Sequence, residues 1–236
     1  MSKREAHRLE DVETFGLTYR FPESGRGIVD VSLRVERGTF TVVTGRVVSG
    51  KKTLLRVLLG LLPRDSGEVH WNGAVVAEPG AFFVPPRCAY VPQVPRLFSD
   101  TVRENILLGL PDAEVNLQRA VRLAVLDDDL SVLGRNLETV VGQRGTRLSG
   151  GQVQRVAAAR ALAADPELLV LDDLSSALDV ATERELWERL ASERGEMTCL
   201  AVSHRRPALQ RAPDPSLTGP AGNNTSTRAS PLAICS

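Results

Sequence analysis

Leu168-Leu-Val-Leu171 is an unbroken apolar run that ends in two adjacent carboxylates, Asp172 and Asp173. A strand with one solvated face alternates apolar and polar residues, whereas a continuous run is buried on both faces. That places residues 168–171 in the middle of a parallel sheet and favours an α/β fold. Other segments agree with it. Residues 12–21 and 28–35 read as strands joined by the turn Ser24-Gly25-Arg26-Gly27, and Phe40-Thr-Val-Val-Thr44 reads as a short buried strand. Lys51–Gly60 has helical character, Glu68-Val-His-Trp-Asn-Gly73 a hairpin arm and its turn, and Cys88-Ala-Tyr-Val91 another strand. Thr182–Arg194 is an amphipathic helix with Leu186, Trp187 and Leu190 on one side, and Thr198–Val202 is the last clear strand.

Between Pro111 and Ala164 the pattern is almost all helical and rich in Leu, Ala and Arg, which suggests a helical subdomain (about 111–164) set into the α/β body. After Arg211 the composition changes to Pro, Ser, Thr, Asn and Gly without apolar periodicity, so 212–236 is expected to be a disordered tail. The glycosylation-like Asn223-Asn-Thr and Asn224-Thr-Ser fall in that tail and read as chance matches.

Composition bounds the function. The 236 residues suffice for a core that needs no disulfides. Lys+Arg and Asp+Glu both number 29, and a chain without basic excess is not expected to have nucleic acid as its main partner. The longest apolar stretch, Leu54–Leu62, is broken by Arg56 and falls far short of the roughly 18 residues that span a bilayer. The charged start, Met1-Ser-Lys-Arg-Glu-Ala-His-Arg8, has no apolar signal core. Cys88, Cys199 and Cys235 are too few and scattered for a disulfide framework or a metal site. A soluble protein of a reducing compartment is expected.

Three clusters carry chemistry. Gly45-Arg46-Val47-Val48-Ser49-Gly50-Lys51 lies between a strand and a helix, the context of a phosphate-binding loop. There, curled backbone N–H groups and a helix N-terminus face phosphate oxygens, and the lysine reaches the β- and γ-phosphates. Such a loop normally continues with Ser or Thr to hold Mg²⁺, but here Lys52 follows. Thr53 is no simple substitute, because one residue turns about 100° around a helix. Val48 puts a β-branched side chain where tight curvature favours glycine.

The second cluster is Asp172-Asp173. Asp172 could hold Mg²⁺ through water and Asp173 could polarise an attacking water, or both could be solvated acids at a strand end. The third is Leu148-Ser149-Gly150-Gly151-Gln152, at the start of a helix. It offers a second anion-binding surface, or simply a capping box from Ser149 to Gln152.

Together these motifs resemble the nucleotide-binding domain of ATP-binding cassette (ABC) transporters over residues 10–211, with Leu148–Gln152 as the most specific match, the family's signature. The resemblance implies a P-loop NTPase core with a parallel sheet, an antiparallel β subdomain and an inserted α-helical subdomain. It implies ATP and Mg²⁺ as cofactors. Gly45–Thr53 would be the Walker A loop and Leu168–Asp173 the Walker B strand. Gln93 in Tyr90-Val-Pro-Gln93 would be the Q-loop glutamine, which senses Mg²⁺ and couples to the membrane partner. Ser176-Ala177-Leu178-Asp179 would be the D-loop, and His204 the switch histidine at the γ-phosphate. Phe21 would stack on adenine, with Tyr19 the lesser candidate. Read singly, Gln93 would be a surface loop residue, Phe21 a core residue and His204 a histidine without a task. Their order and spacing join them.

Val141-Gly-Gln-Arg-Gly145 and Thr101-Val-Arg-Glu-Asn-Ile106 resemble exporter-type cassettes, in which the former segment contacts coupling helices. In this family two cassettes pair head to tail, so each ATP lies between one chain's Walker motifs and the other's signature. The partners implied are therefore a second cassette, in a homo- or heterodimer, and a transmembrane domain on another chain or in a missing N-terminal part. The implied location is cytoplasmic, peripheral at the inner face of the cell membrane.

Asp173 stands where the family usually has Glu, so the Walker half departs at Val48, Lys52 and Asp173 while the signature half is intact. Weak hydrolysis in the chain's own site, with competence to complete a partner's site, is the expectation. The alternatives are a cassette that binds without turnover and a soluble non-transport ABC ATPase. Pro213-Asp-Pro215 follows where the family adds a further strand, which suggests a frame slip or truncation.

Overall fold

The computed structural model describes residues 7–44, 50–112, 115–142, 145–193 and 197–203, with backbone alone for Ser175 and Ser176. Two sheets organise it. The strands β1 (Asp11–Arg20), β2 (Gly27–Glu36), β4 (Ser66–Trp71) and β5 (Ala74–Val75) form an antiparallel sheet in the order β2-β1-β4-β5. The strands β3 (Phe40–Val43), β6 (Cys88–Val91), β7 (Leu168–Asp172) and β8 (Thr198–Val202) form a parallel sheet in the order β3-β8-β7-β6. The fold is α/β with a parallel and an antiparallel sheet, as expected.

The continuous run in β7 explains the layering. Leu168 and Val170 enter one core, which they share with α1 (Lys51–Leu58) and the antiparallel sheet. Leu169 and Leu171 enter a second core with α3 (Val102–Leu107), α4 (Leu117–Leu123), α6 (Gly150–Ala163) and α7 (Val180–Ala191). All five residues of β7 and all five of β8 are buried, so neither strand could alternate without placing polar groups in a core. Leu54, Leu55, Val57 and Leu58 of α1 fill the space between the sheets. At about 25 cal/mol per Å² of apolar surface, each such side chain contributes roughly 1.5–3 kcal/mol. The β4–β5 turn is Asn72-Gly73, both with positive φ (52° and 74°), the pairing a two-residue hairpin turn demands.

The stretch from Pro111 to Ala164 is less helical than its composition suggests. After α4 and α5 (Asp127–Val132) only a single 3-10 turn, Asn136–Glu138, precedes α6 among the described residues. Val140 instead forms an isolated bridge with Thr101, which ties this segment to the start of α3, and Val141 forms one with Thr146. No helix of the described residues is long and apolar enough to cross a membrane.

Candidate functional site

Parallel strands share the edge at which their C-terminal ends emerge, and that edge gathers the chemistry. β6 leads to Gln93, β7 ends in Asp172 and Asp173, and α1 opens with Lys51 and Lys52. The side chains of α1's first turn tilt toward its N-terminus, the side from which the glycine loop arrives. Gly50 is the residue before α1. Its φ of 71° is left-handed, and a Cβ there would lie 2.8 Å from Ile28 Cγ2, so glycine is required on both counts. Gly45, Arg46, Val47, Val48 and Ser49, and likewise His204, lie outside the described residues.

Lys52 Nζ donates to Gln93 Oε1, and Gln93 Nε2 donates to Asp173 Oδ2 at 2.9 Å. An ammonium only donates and a carboxylate only accepts, so the two neighbours fix which end of the amide faces which. Tyr90 Oη donates to Asp172 Oδ2 at 3.2 Å, while Asp172 Oδ1 is buried without a hydrogen-bond partner among the described residues. Burial pushes the Asp172 carboxyl above the usual carboxylate range, opposed by the Lys52 ammonium and the Tyr90 hydroxyl. The Tyr90 phenol is also raised by burial, and the Asp172 charge adds to it. Lys51 is 3% exposed. Burial pulls its ammonium below the usual lysine range, Asp173 holds it up, and neighbouring Lys52 presses it down. Asp173 leaves β7 in a left-handed turn (φ 52°), with its own N–H on the Val202 carbonyl at 3.0 Å.

The residues expected to form the signature, Leu148–Gln152, make a second group. Ser149 Oγ accepts from the Gln152 N–H at 3.2 Å and Gln152 Oε1 accepts from the Ser149 N–H at 2.9 Å, a complete capping box. Because the Ser149 oxygen is the acceptor in that box, its own hydroxyl proton remains available to a ligand. Ser149 and Gly150 are exposed, while Leu148 is half-buried against the helical core. A Cβ on Gly151 would come within 3.1 Å of the Ala177 carbonyl, so the segment after β7 abuts the start of α6. Leu178 is buried, and Asp179 caps α7, accepting from the N–H groups of Ala181 and Thr182 at 3.0 Å each. Phe21 is half-buried, its ring edge-on to Tyr19 with centroids 5.0 Å apart.

The profile of the ABC transporter family matches residues 28–176. The chain belongs to the ABC transporter family. This cassette is 36% identical over 204 residues to a probable multidrug resistance ABC transporter ATP-binding/permease protein, YheI, of Bacillus subtilis, covering 86% of this chain and 35% of that protein. It is 37% identical over 177 residues to P-glycoprotein 14 of Caenorhabditis elegans, covering 75% of this chain and 13% of that one. A solved structure of a bacterial Atm1-family ABC exporter with ATP bound superposes with a TM-score of 0.76 at 27% identity, covering 86% of this chain and 36% of that one. The cassette thus spans about a third or less of these relatives, and it is exporter-like.

The residues at the β-sheet edge do not fit Mg²⁺. The ion demands near-octahedral oxygen ligands, yet the position after Lys51 supplies an ammonium, and the amide oxygen of Gln93 already accepts from it. A dication on the same oxygen would lie roughly 4 Å from the Lys52 charge. At an effective dielectric of 20 that repulsion is on the order of 8 kcal/mol.

Several contributors escaped the sequence reading. Gln154, 1% exposed on α6, donates through Nε2 to the Gln93 carbonyl at 2.7 Å and so holds the loop after β6 from behind. Its signal was a polar residue among the alanines of a buried helix. Asn105 is fully buried; its amide nitrogen donates to the carbonyls of Phe98 and Thr101 at 3.0 and 2.9 Å, and its amide oxygen accepts from the Phe98 N–H at 2.8 Å. Asp129 on α5 accepts from Arg155 Nε at 2.6 Å and Nη2 at 2.9 Å, and from Gln152 Nε2 at 3.2 Å. Beside the Q-loop, Pro95, Leu97, Gly142, Arg147, Leu148 and Val153 are among the residues lining a groove of about 590 Å³, near exposed Val94 and Phe98.

Proposed function

We propose that this chain is the ATP-binding, energy-coupling cassette of an exporter, working against a transmembrane domain and paired with a second cassette. ATP would lie between the Walker loop of one cassette and the signature of the other. Gly45–Lys51 would hold the phosphates, Phe21 the adenine and His204 the γ-phosphate. Asp173 and Gln93 would position the attacking water. The groove beside Val94 and Phe98 would receive the membrane domain, at the cytoplasmic face of the membrane.

The observation that carries this reading is the contrast between the two halves of the site. Lys52 holds Gln93 and faces Asp172, whereas Ser149–Gln152 is capped and outward-facing. We assign weak turnover to the chain's own Walker half and competence to its signature half. Asp173 also carries a side chain one methylene shorter than glutamate, which sets its carboxylate back from the attacking water. Removal of one positioned catalytic group costs about 10² or more in rate. A second reading, binding without turnover, rests on the same Lys52 contact.

Complementation tests the proposal. A chain with Lys52→Thr and Asp173→Glu but a disabled signature, Ser149→Arg, is mixed with the native chain. Each alone should turn ATP over slowly. The mixture should be about 10²-fold faster, because the native signature completes the repaired Walker half. A mixture no faster than its parts would refute the division of labour.

A further inference from the structure

The misfit between Lys52 and Mg²⁺ has the character of a replacement. Lys52 Nζ is seated on the oxygen of Gln93, and the other end of that amide is held by Asp173. The same ammonium acts electrostatically on buried Asp172, whose Oδ1 has no hydrogen-bond partner among the described residues. Arg56, further along α1, also acts on Asp172, and Lys51 lies beside them under the influence of Asp173. One fixed cation is thus in contact with the glutamine and within reach of the carboxylate that a divalent ion would otherwise engage. It is covalently part of the helix that opens the phosphate site.

We infer that Lys52 is a built-in cation, so that this site takes a metal-free nucleoside triphosphate in place of the Mg²⁺ complex. The inference rests on the reading of the chain as a nucleotide-binding cassette. Metal-free ATP carries more negative charge than its Mg²⁺ complex, and α1 opens with two adjacent ammonium groups, Lys51 and Lys52, where a Ser or Thr at position 52 would leave one. The ligand preference follows from charge. A second cation in the protein favours the more anionic form of the nucleotide, and it repels a dication that would share the oxygen of Gln93.

The test measures binding of N-methylanthraniloyl-ATP to the full chain by fluorescence, in excess EDTA and in millimolar Mg²⁺. The native chain should bind in EDTA at least as tightly as in Mg²⁺. Lys52→Thr should reverse that order, tightening about tenfold or more when Mg²⁺ is added. Lys52→Arg should keep the native behaviour, while Lys52→Ala should lose affinity in EDTA without the gain in Mg²⁺. Mn²⁺ paramagnetic resonance in the presence of ATP gives an independent readout, with protein-bound Mn²⁺ for Lys52→Thr and none for the native chain. Tighter native binding in Mg²⁺ than in EDTA overturns the inference and leaves the cassette reading intact. Absence of binding by native and Lys52→Thr chains under both conditions overturns both.

Discussion

Gln93 donates to Asp173 across 2.9 Å, joining the loop after β6 to the carboxylate that ends the buried strand β7. Because Lys52 donates to the opposite end of the same amide, a cation, an amide and an anion form one chain across the edge of the sheet. The glutamine is therefore committed on both sides, and a ligand that needs its oxygen must first displace a lysine.

Asp172 makes this arrangement sensitive to pH. Its folded pKa is raised by burial, so folding binds a proton between the ordinary carboxylate pKa and the raised value. Stability falls as pH rises through that window, and at neutral pH the charged carboxylate is a net cost. Asp172→Asn should raise the melting temperature at pH 7. The gain should vanish at a pH low enough to protonate Asp172 in both folded and unfolded states. Thermal melts across pH check this; a destabilised variant at pH 7 would show that the Lys52 attraction outweighs burial.

Gln154 supports Gln93 from within the helical layer. Gln154→Leu keeps an apolar volume of similar size but leaves the Gln93 carbonyl without that donor. A loss of about 1–3 kcal/mol in urea unfolding is expected. Nucleotide affinity should fall as well, since the backbone of the Q-loop loses its anchor.

Arg155 and Asp129 join α6 to α5 by two parallel hydrogen bonds, with both side chains mostly shielded (13% and 15% exposed). Arg155→Ala should cost about 1–2 kcal/mol, more than an exposed pair and less than a fully buried one. Asp129 also holds the capping glutamine of the signature, so complementation of a repaired Walker half should weaken too. Urea unfolding and the mixing assay separate the two effects.

The sequence made the strands and the site's membership legible to different degrees. β7 was legible because a four-residue apolar run closed by two carboxylates is too short for a helix and reads as a strand buried on both faces, and its alternate residues do enter two cores. The expectation of an almost all-helical stretch from Pro111 to Ala164 holds for α4, α5 and α6 but not for the described residues between α5 and α6, where Val140 and Val141 form bridges instead. Lys52 was visible as a wrong residue, but its destination was not. Sequence gives a charge and a position on α1, while the contact with Gln93 joins residues 41 apart and needs the parallel sheet to exist first. Gln154 was hidden for the same reason, since its partner, the Gln93 carbonyl, is 61 residues away in sequence, whereas Asn105 serves the nearby backbone of Phe98 and Thr101 inside a segment already singled out.

The direct test of the central claim is steady-state ATP hydrolysis in Mg²⁺ by the native chain and by Lys52→Thr/Asp173→Glu at equal concentration. With the metal hydroxyl and the longer carboxylate restored, the double variant should exceed the native rate by about 10² or more. The further substitution Ser149→Arg should abolish that gain. Equal rates in the native chain and the double variant would contradict the account, because the Walker half would then not be what limits this cassette.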